Sequence, residues 1–450
     1  MKATIRDEGE HLSLRLLCTK VRKIGFRPSA VAQLLRSKPS LLLLVSSLFA
    51  QSISVGLSPV LTRLYSPADF GLFGSIAAIV TVFIPLTNLR FECAIPRATT
   101  DRLALTLIYL GAFSVVLMGC IYGTIAFCLS LIATQATAAA VLEYWYFIPV
   151  ALVCAALYEI LAMEASRQHN FVAMANAQFR QSFFGVGAQI IIGIFSHGPI
   201  GLLVGFLVNQ TAGLTILLRA LVFGNPFRGS ISRNEIRVAA WLERRYPLYS
   251  SWSSSLDALN KWSLPLTMSL LWTPAIGGFV FLADRLIGRP MMLTGNALLP
   301  VFIARVSKAI REKSGQDIVP AFKHAFRRQF AASIVFTTAV LIGAPLLIPP
   351  IFGEGWRESA SYIQAMVLVI APSATLQSVS HIMQLAGRQK AASALIVSKL
   401  IATIIIIGTG RILHMEAITV LLEIAVAHGL FAVITYIIYR RIASVLAQQA

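Results

Sequence analysis

Apolar runs of about twenty residues, separated by short arginine-rich loops, recur along this 450-residue chain. A helix rising 1.5 Å per residue needs about twenty apolar residues to cross about 30 Å of hydrocarbon. Within lipid only helices and closed barrels pair every backbone group. The pattern therefore predicts an all-α membrane protein. Composition agrees: 57% of residues are hydrophobic and 13% charged, against about 25% charged in soluble domains. Twelve transmembrane helices are expected, near 40–63, 70–89, 103–130, 144–163, 177–195, 200–223, two between 248 and 302, 329–351, 359–385 (interrupted by Pro372), 391–410 and 417–439.

The net charge of +19 sits in the loops. With the N-terminus inside, 31 of the 38 Lys and Arg residues fall on the inner side, three (Arg63, Arg357, Arg411) on the outer side and four within spans. That asymmetry predicts both termini cytoplasmic and argues against a nucleic-acid partner. Residues 1–38 form a basic arm, read either as an interfacial amphipathic helix or as a disordered topology signal, and not as a secretory signal. The five cysteines show no metal-ligand or CxxC spacing, so no metal site is expected.

An internal repeat divides the chain. Pro59 to Pro67 (PVLTRLYSP) resembles Pro265 to Pro274 (PLTMSLLWTP) with one residue inserted, and each runs on into a glycine pair: Gly71 and Gly74, Gly277 and Gly278. An offset of six helices preserves orientation and implies parallel repeats. The expected organisation is an N-lobe at 39–223, a basic cytoplasmic linker at 224–247, a C-lobe at 248–441 and a tail at 442–450, with the lobes around a central cavity.

The two helices after the linker are unusually polar. The first carries Asp257, Asn260 and Lys261; the second carries Asp284, Arg285 and Arg289. From the helical rise, all five charged groups fall within about 5 Å of the bilayer midplane. Charge at that depth faces protein or a water-filled cavity and marks a substrate or ion path.

The segment Ser58 to Phe73 (SPVLTRLYSPADFGLF), followed by Gly74, resembles the helix 1–2 signature of polysaccharide flippases, the O-antigen and exopolysaccharide translocases of the multidrug/oligosaccharidyl-lipid/polysaccharide exporter superfamily. Asp257, Gly278, Asp284 to Leu286 and Leu299 to Arg305 (LPVFIAR) extend the resemblance over most of 40–440. It implies two six-helix bundles in a V, alternating access, and translocation of a polyprenyl-diphosphate-linked oligosaccharide across a bacterial inner membrane. It also implies coupling to a proton or sodium gradient in some members, and no cofactor. A polysaccharide polymerase is a candidate partner beside the membrane lipids.

Chemistry assigns the candidate residues. A lipid diphosphate brings about two negative charges, and arginine offers a planar fork for phosphate oxygens. Lys261, Arg285 and Arg289 are therefore candidates for the diphosphate; the competing reading is that Asp257–Lys261 and Asp284 with an arginine are internal ion pairs, or that Arg289 snorkels. Asp257 is the first candidate for ion coupling and Glu159 the second. Arg63 is a candidate guide at the exit or an interface anchor. Arg90 is a candidate contact at the cytoplasmic mouth or a topology charge. Lys399 either lines the cavity or snorkels. Gln51, Asn88, Asn209, Gln210, His381 and Gln384 either line a sugar route or bond between helices.

Competing functions are a small-molecule exporter, whose cavity for cations should be net acidic, and a peptidoglycan-precursor flippase, which usually has extra helices. A membrane glycosyltransferase is a further alternative, but it needs a catalytic carboxylate constellation, and linker 224–247 offers only Glu235 and Glu243. The chain carries no phosphate-binding P-loop motif.

Overall fold

The computed structural model describes residues 39–133, 135–196, 198–224 and 231–449. The basic arm 1–38 and part of the linker lie outside them. The described residues are helical almost throughout. The helices are α1 (Pro39–Gly56), α2 (Ser58–Leu64), α3 (Pro67–Thr87), α4 (Asp101–Ile132), α5 (Ala136–Leu142), α6 (Phe147–Arg167), α7 (Phe171–Phe195), α8 (Ile200–Gly224) and α9 (Arg233–Leu242). Then follow α10 (Ser251–Leu271), α11 (Pro274–Ala283), α12 (Arg289–Arg311), α13 (Ile318–Phe352), α14 (Ser359–Leu376), α15 (Ile382–Leu385), α16 (Gln389–Ile412) and α17 (Ala417–Gln449).

Among the described residues, nine helical segments are long and apolar enough to cross a membrane. The expected spans outside that set correspond to α7, α10 and the α11–α12 rod. They have the length and fall short by polarity, which is what a helix facing a polar interior requires. Two details differ from expectation. Residues 136–142 form the short helix α5 instead of a loop. Helix α14 runs through Pro372 unbroken and gives way instead to a 3₁₀ turn at Gln377–Val379.

Two start signals show why the repeat folds alike. Ser66 and Asp69 form a reciprocal capping box, with Ser66 N donating to Asp69 Oδ2 at 2.9 Å, and Pro67 opens α3. Thr273 accepts from Ile276 N at 3.2 Å, and Pro274 opens α11.

Helix α3 is the central element. It packs on both α10 and α11, and 61% of its apolar window is buried, against 17% for α4, whose Tyr109, Phe113 and Val116 lie exposed on the outer face. Where α3 crosses α11, Gly71 lies against the Pro274 carbonyl and Gly278 against the Pro67 carbonyl, so a Cβ on either would collide with backbone. An aromatic cluster seals the same end: Phe70 meets Trp356 at 5.0 Å and Phe73 meets Phe281 at 5.3 Å between ring centroids. The Trp356 indole donates to Thr62 O at 2.8 Å.

Candidate functional site

The polar region begins where helices break. Helix α1 stops at Gly56 and α2 starts at Ser58, with Pro59 supplying no N–H. At this break the Ser54 carbonyl accepts Ser58 Oγ at 2.9 Å and Arg285 Nη2 at 2.6 Å. Arg285 itself sits in a π-helical stretch, Asp284–Gly288, between α11 and α12. Such a stretch widens the helix and turns consecutive side chains off the regular register. Asp284 from this stretch and Trp262 from α10 line two adjacent cavities.

The first cavity, about 330 Å³, holds Arg285 with Ser54, Gln189, Asn209 and Gln210. The second, about 590 Å³, holds Lys261, Asn260, Asn296, Ser373, Lys399 and His428. Lys261 bonds Asp257 at 2.7 Å, and both remain well exposed, at 66% and 45%. Arg285 is only 8% exposed. Lys399 Nζ donates to Ser373 Oγ at 2.7 Å. His428 is held between Thr403 Oγ1 at 3.1 Å and the Val369 carbonyl at 3.2 Å. Around the two cavities, Lys261, Arg285 and Lys399 stand against Asp257 and Asp284. A volume of this size with amide, hydroxyl and cationic walls suits a polar anionic ligand.

Lys261 and Arg285 line adjacent cavities that share Asp284 and Trp262, and Asp257 is held to Lys261. The Arg289 side chain lies outside the described residues; its backbone opens α12 one turn beyond Arg285. Of the named polar side chains, Gln51, Asn209 and Gln210 line the cavities, and Asn209 also donates to Gln181 O at 2.9 Å.

Three expected residues stand elsewhere. Arg63 is exposed and reaches Pro350 O at 3.4 Å, pinning α2 to the end of α13. Arg90, in a left-handed turn at φ 58°, pairs with Glu92 at 3.3 Å. Glu159 accepts from Asn88 Nδ2 at 3.0 Å beside that pair. These groups form a separate cluster in which Glu92 is 1% exposed. Burial pushes the Glu92 carboxyl from its ordinary 4.5 up to about 7, with Arg90 opposing and Glu159 adding to the rise. Nearby contacts gather the basic turns at that end: Arg102 meets Glu235 at 2.8 Å, Arg167 meets Asp101 at 2.7 Å and Arg97 meets the Tyr246 hydroxyl at 3.2 Å.

Sequence reasoning missed His428 and Glu92. The signal for His428 was present, since an ionisable side chain within an apolar span is a site candidate by default. Glu92 gave none, because a carboxylate in a short arginine-bearing turn reads as solvated.

The lipid II flippase MurJ, in an inward closed conformation, superposes with a TM-score of 0.68 at 12% identity, over 91% of each chain. An inward-facing multidrug resistance MATE transporter of the MOP superfamily gives a TM-score of 0.56 at 15% identity, over 91% of this chain and 99% of its own. These likenesses show that the chain shares its fold with those two proteins. Among curated protein sequences none matches this chain significantly. The sequence profile of a family described as polysaccharide biosynthesis protein matches residues 60–361, and the chain belongs to that family.

Proposed function

We propose that this protein is a flippase that moves a polyprenyl-diphosphate-linked oligosaccharide from the cytoplasmic to the outer face of a bacterial inner membrane, supplying a surface polysaccharide. The observation that carries the reading is the pair of polar cavities on either side of the Asp284–Gly288 stretch, into which Lys261, Arg285 and Lys399 converge. Family membership supplies the process, and the neighbours' fold supplies the transport architecture.

In this reading twelve spans form two six-helix lobes, and the basic turns face the cytoplasm with both termini. The sealed end at Gly71, Gly278 and Trp356 is the outer gate. The Lys261 and Lys399 ammoniums meet the diphosphate, while amide-bearing side chains contact sugar. The Arg285–Ser54 bond joins the lobes and must release as the outer gate opens, so diphosphate competes with a backbone carbonyl for that guanidinium. Asp257, paired with Lys261, is the group through which an ion gradient can act on the same site.

The test is the sidedness of lipid-linked glycan in the host lacking this protein. The expected result is accumulation on the cytoplasmic face with loss of surface polymer, restored by the wild-type chain and not by Arg285→Ala or Lys399→Ala. Glycan that still reaches the outer face, with drug sensitivity in its place, would establish the multidrug-export alternative.

A further inference from the structure

A second kind of cavity lies away from the polar region. It occupies about 400 Å³ between α13, α14 and α17, and its wall is mostly apolar. Phe330, Ile334 and Val433 line it and are 45%, 49% and 59% exposed, so it opens on the outer surface of the bundle. Phe326 and Tyr436 close its end nearer Arg327, tilted by 35° with ring centroids 4.4 Å apart.

Two hydroxyls in this wall have no partner. Ser333 is 3% exposed, and neither Ser333 Oγ nor Thr337 Oγ1 makes a hydrogen bond. Hydroxyls on helices in this chain usually bond back to their own backbone, as Thr403 does to Lys399 O, Thr409 to Ile405 O and Ser398 to Leu395 O. A buried hydroxyl left unpaired bears the full cost of its lost hydration. Ser333 and Thr337 are one turn apart and both face the cavity, so one elongated ligand can reach both.

Charge completes the site. Lys323 and Arg327 are exposed and continue the cavity-facing stripe of α13, and exposed Arg440 continues that of α17 beyond Tyr436. Arg327 precedes Ser333 by six residues, about 9 Å along the axis. Along α13 the order is the cations, with the Phe326–Tyr436 aromatic pair between them, then the hydroxyl donors, with the apolar chamber open sideways beside them.

We propose that this cavity binds one anionic glycerophospholipid of the surrounding bilayer, with its phosphate at Lys323, Arg327 and Arg440, an ester carbonyl at Ser333 and one acyl chain in the chamber. A glycerophospholipid carries a carbonyl acceptor just below its phosphate. A polyprenyl diphosphate carries only hydrocarbon there and leaves Ser333 unpaired. The site is therefore distinct from the one for the carried lipid and stands or falls apart from the flippase reading.

The test is photolabelling of the full chain in nanodiscs with a phosphatidylglycerol bearing a diazirine in its acyl chain, mapped by peptide mass spectrometry. The expected result is labelling on α13, α14 and α17 that excess phosphatidylglycerol displaces and phosphatidylcholine does not. Gly429 lines the chamber, and a Cβ there would meet nothing within 4 Å. Gly429→Phe therefore fills the space and should cut labelling at least tenfold. Ser333→Val with Thr337→Val, which keeps side-chain volume and removes the donors, should cut it severalfold and serves as the second variant should the phenylalanine perturb folding. Labelling unchanged in both variants, or displaced equally by phosphatidylcholine, overturns the proposal. Displacement by a polyprenyl phosphate and not by phosphatidylglycerol overturns it in favour of the carried lipid.

Discussion

Glu92 provides the sharpest test of the structure. Its carboxyl is 1% exposed, Oε1 lies 3.3 Å from Arg90 and Oε2 has no hydrogen-bond partner. Burial outweighs the arginine, and the group titrates at about 7 instead of 4.5. Below pH 4.5 the folded and unfolded chains both hold the proton, and the group contributes no pH dependence. Between 4.5 and 7 the unfolded chain ionises while the folded chain keeps its proton, so stability falls as pH rises through that window. Above 7 the full cost of ionising a buried carboxylate is present, about 3 kcal/mol at 1.36 kcal/mol per pH unit. Glu92→Gln keeps the shape and removes the ionisation. It should raise thermal stability relative to wild type at pH 8, by up to that amount less the charge-assisted bond to Arg90, and the advantage should vanish near pH 4.5. The assay is the aggregation temperature in detergent, followed from pH 4.5 to 8.5 for both chains. A glutamine variant less stable than wild type at pH 8, or a difference that does not depend on pH, would show that Glu92 is ionised as the partner of Arg90 and refute the reasoning.

Further outcomes follow from named contacts. Asp257 and Lys261 are exposed enough that their pairing contributes at most about 1 kcal/mol, so Lys261→Ala should express normally; swapping the two as Asp257→Lys with Lys261→Asp restores export only if the pair is structural, and complementation should stay negative. Arg285→Lys should express as wild type and lose at least tenfold in transport, because a lysine lacks the planar fork that phosphate oxygens take once Ser54 O is released; full activity would show that charge alone suffices. Trp356→Phe removes the donor to Thr62 O, worth about 1 kcal/mol. It should shift cysteine accessibility at the sealed end severalfold towards the open state. Gly71→Val drives a side chain into the Pro274 carbonyl and should abolish folded protein, measured as a monodisperse peak in size exclusion.

Much of the architecture was legible in the sequence because lipid enforces it. Apolar runs locate the helices, and polarity singled out α10 and the α11–α12 rod as facing the interior. Depth along a helix follows from counting residues at a fixed rise, whereas the direction a side chain takes around the bundle depends on which neighbours pack against it. That is why Lys261 and Arg285 were placed with the cavity, while Arg63, Arg90 and Glu159 went to contacts of their own at the two ends. The same limit hid Glu92: whether a turn between two spans is solvated or covered is decided by elements distant in sequence, here α6 and the turns beside it.

The repeat at 59–67 and 265–274 acquires a physical reason from the crossing of α3 and α11. Allowing for the inserted residue, Pro67 corresponds to Pro274 and Gly71 to Gly278, and these four residues touch reciprocally: each glycine lies on the other's proline carbonyl. A patch that packs reciprocally on its own copy must be small on both sides, since any side chain added to one copy strikes the backbone of the other. Such a contact holds two backbones together with no interlocking side chains, so it can part without large side chains having to repack. The clearest internal likeness in the sequence thus lies where the two copies press backbone against backbone, whereas other contacts between the halves, Arg285 with Ser54 O and Trp356 with Thr62 O, each draw on a residue outside the repeat.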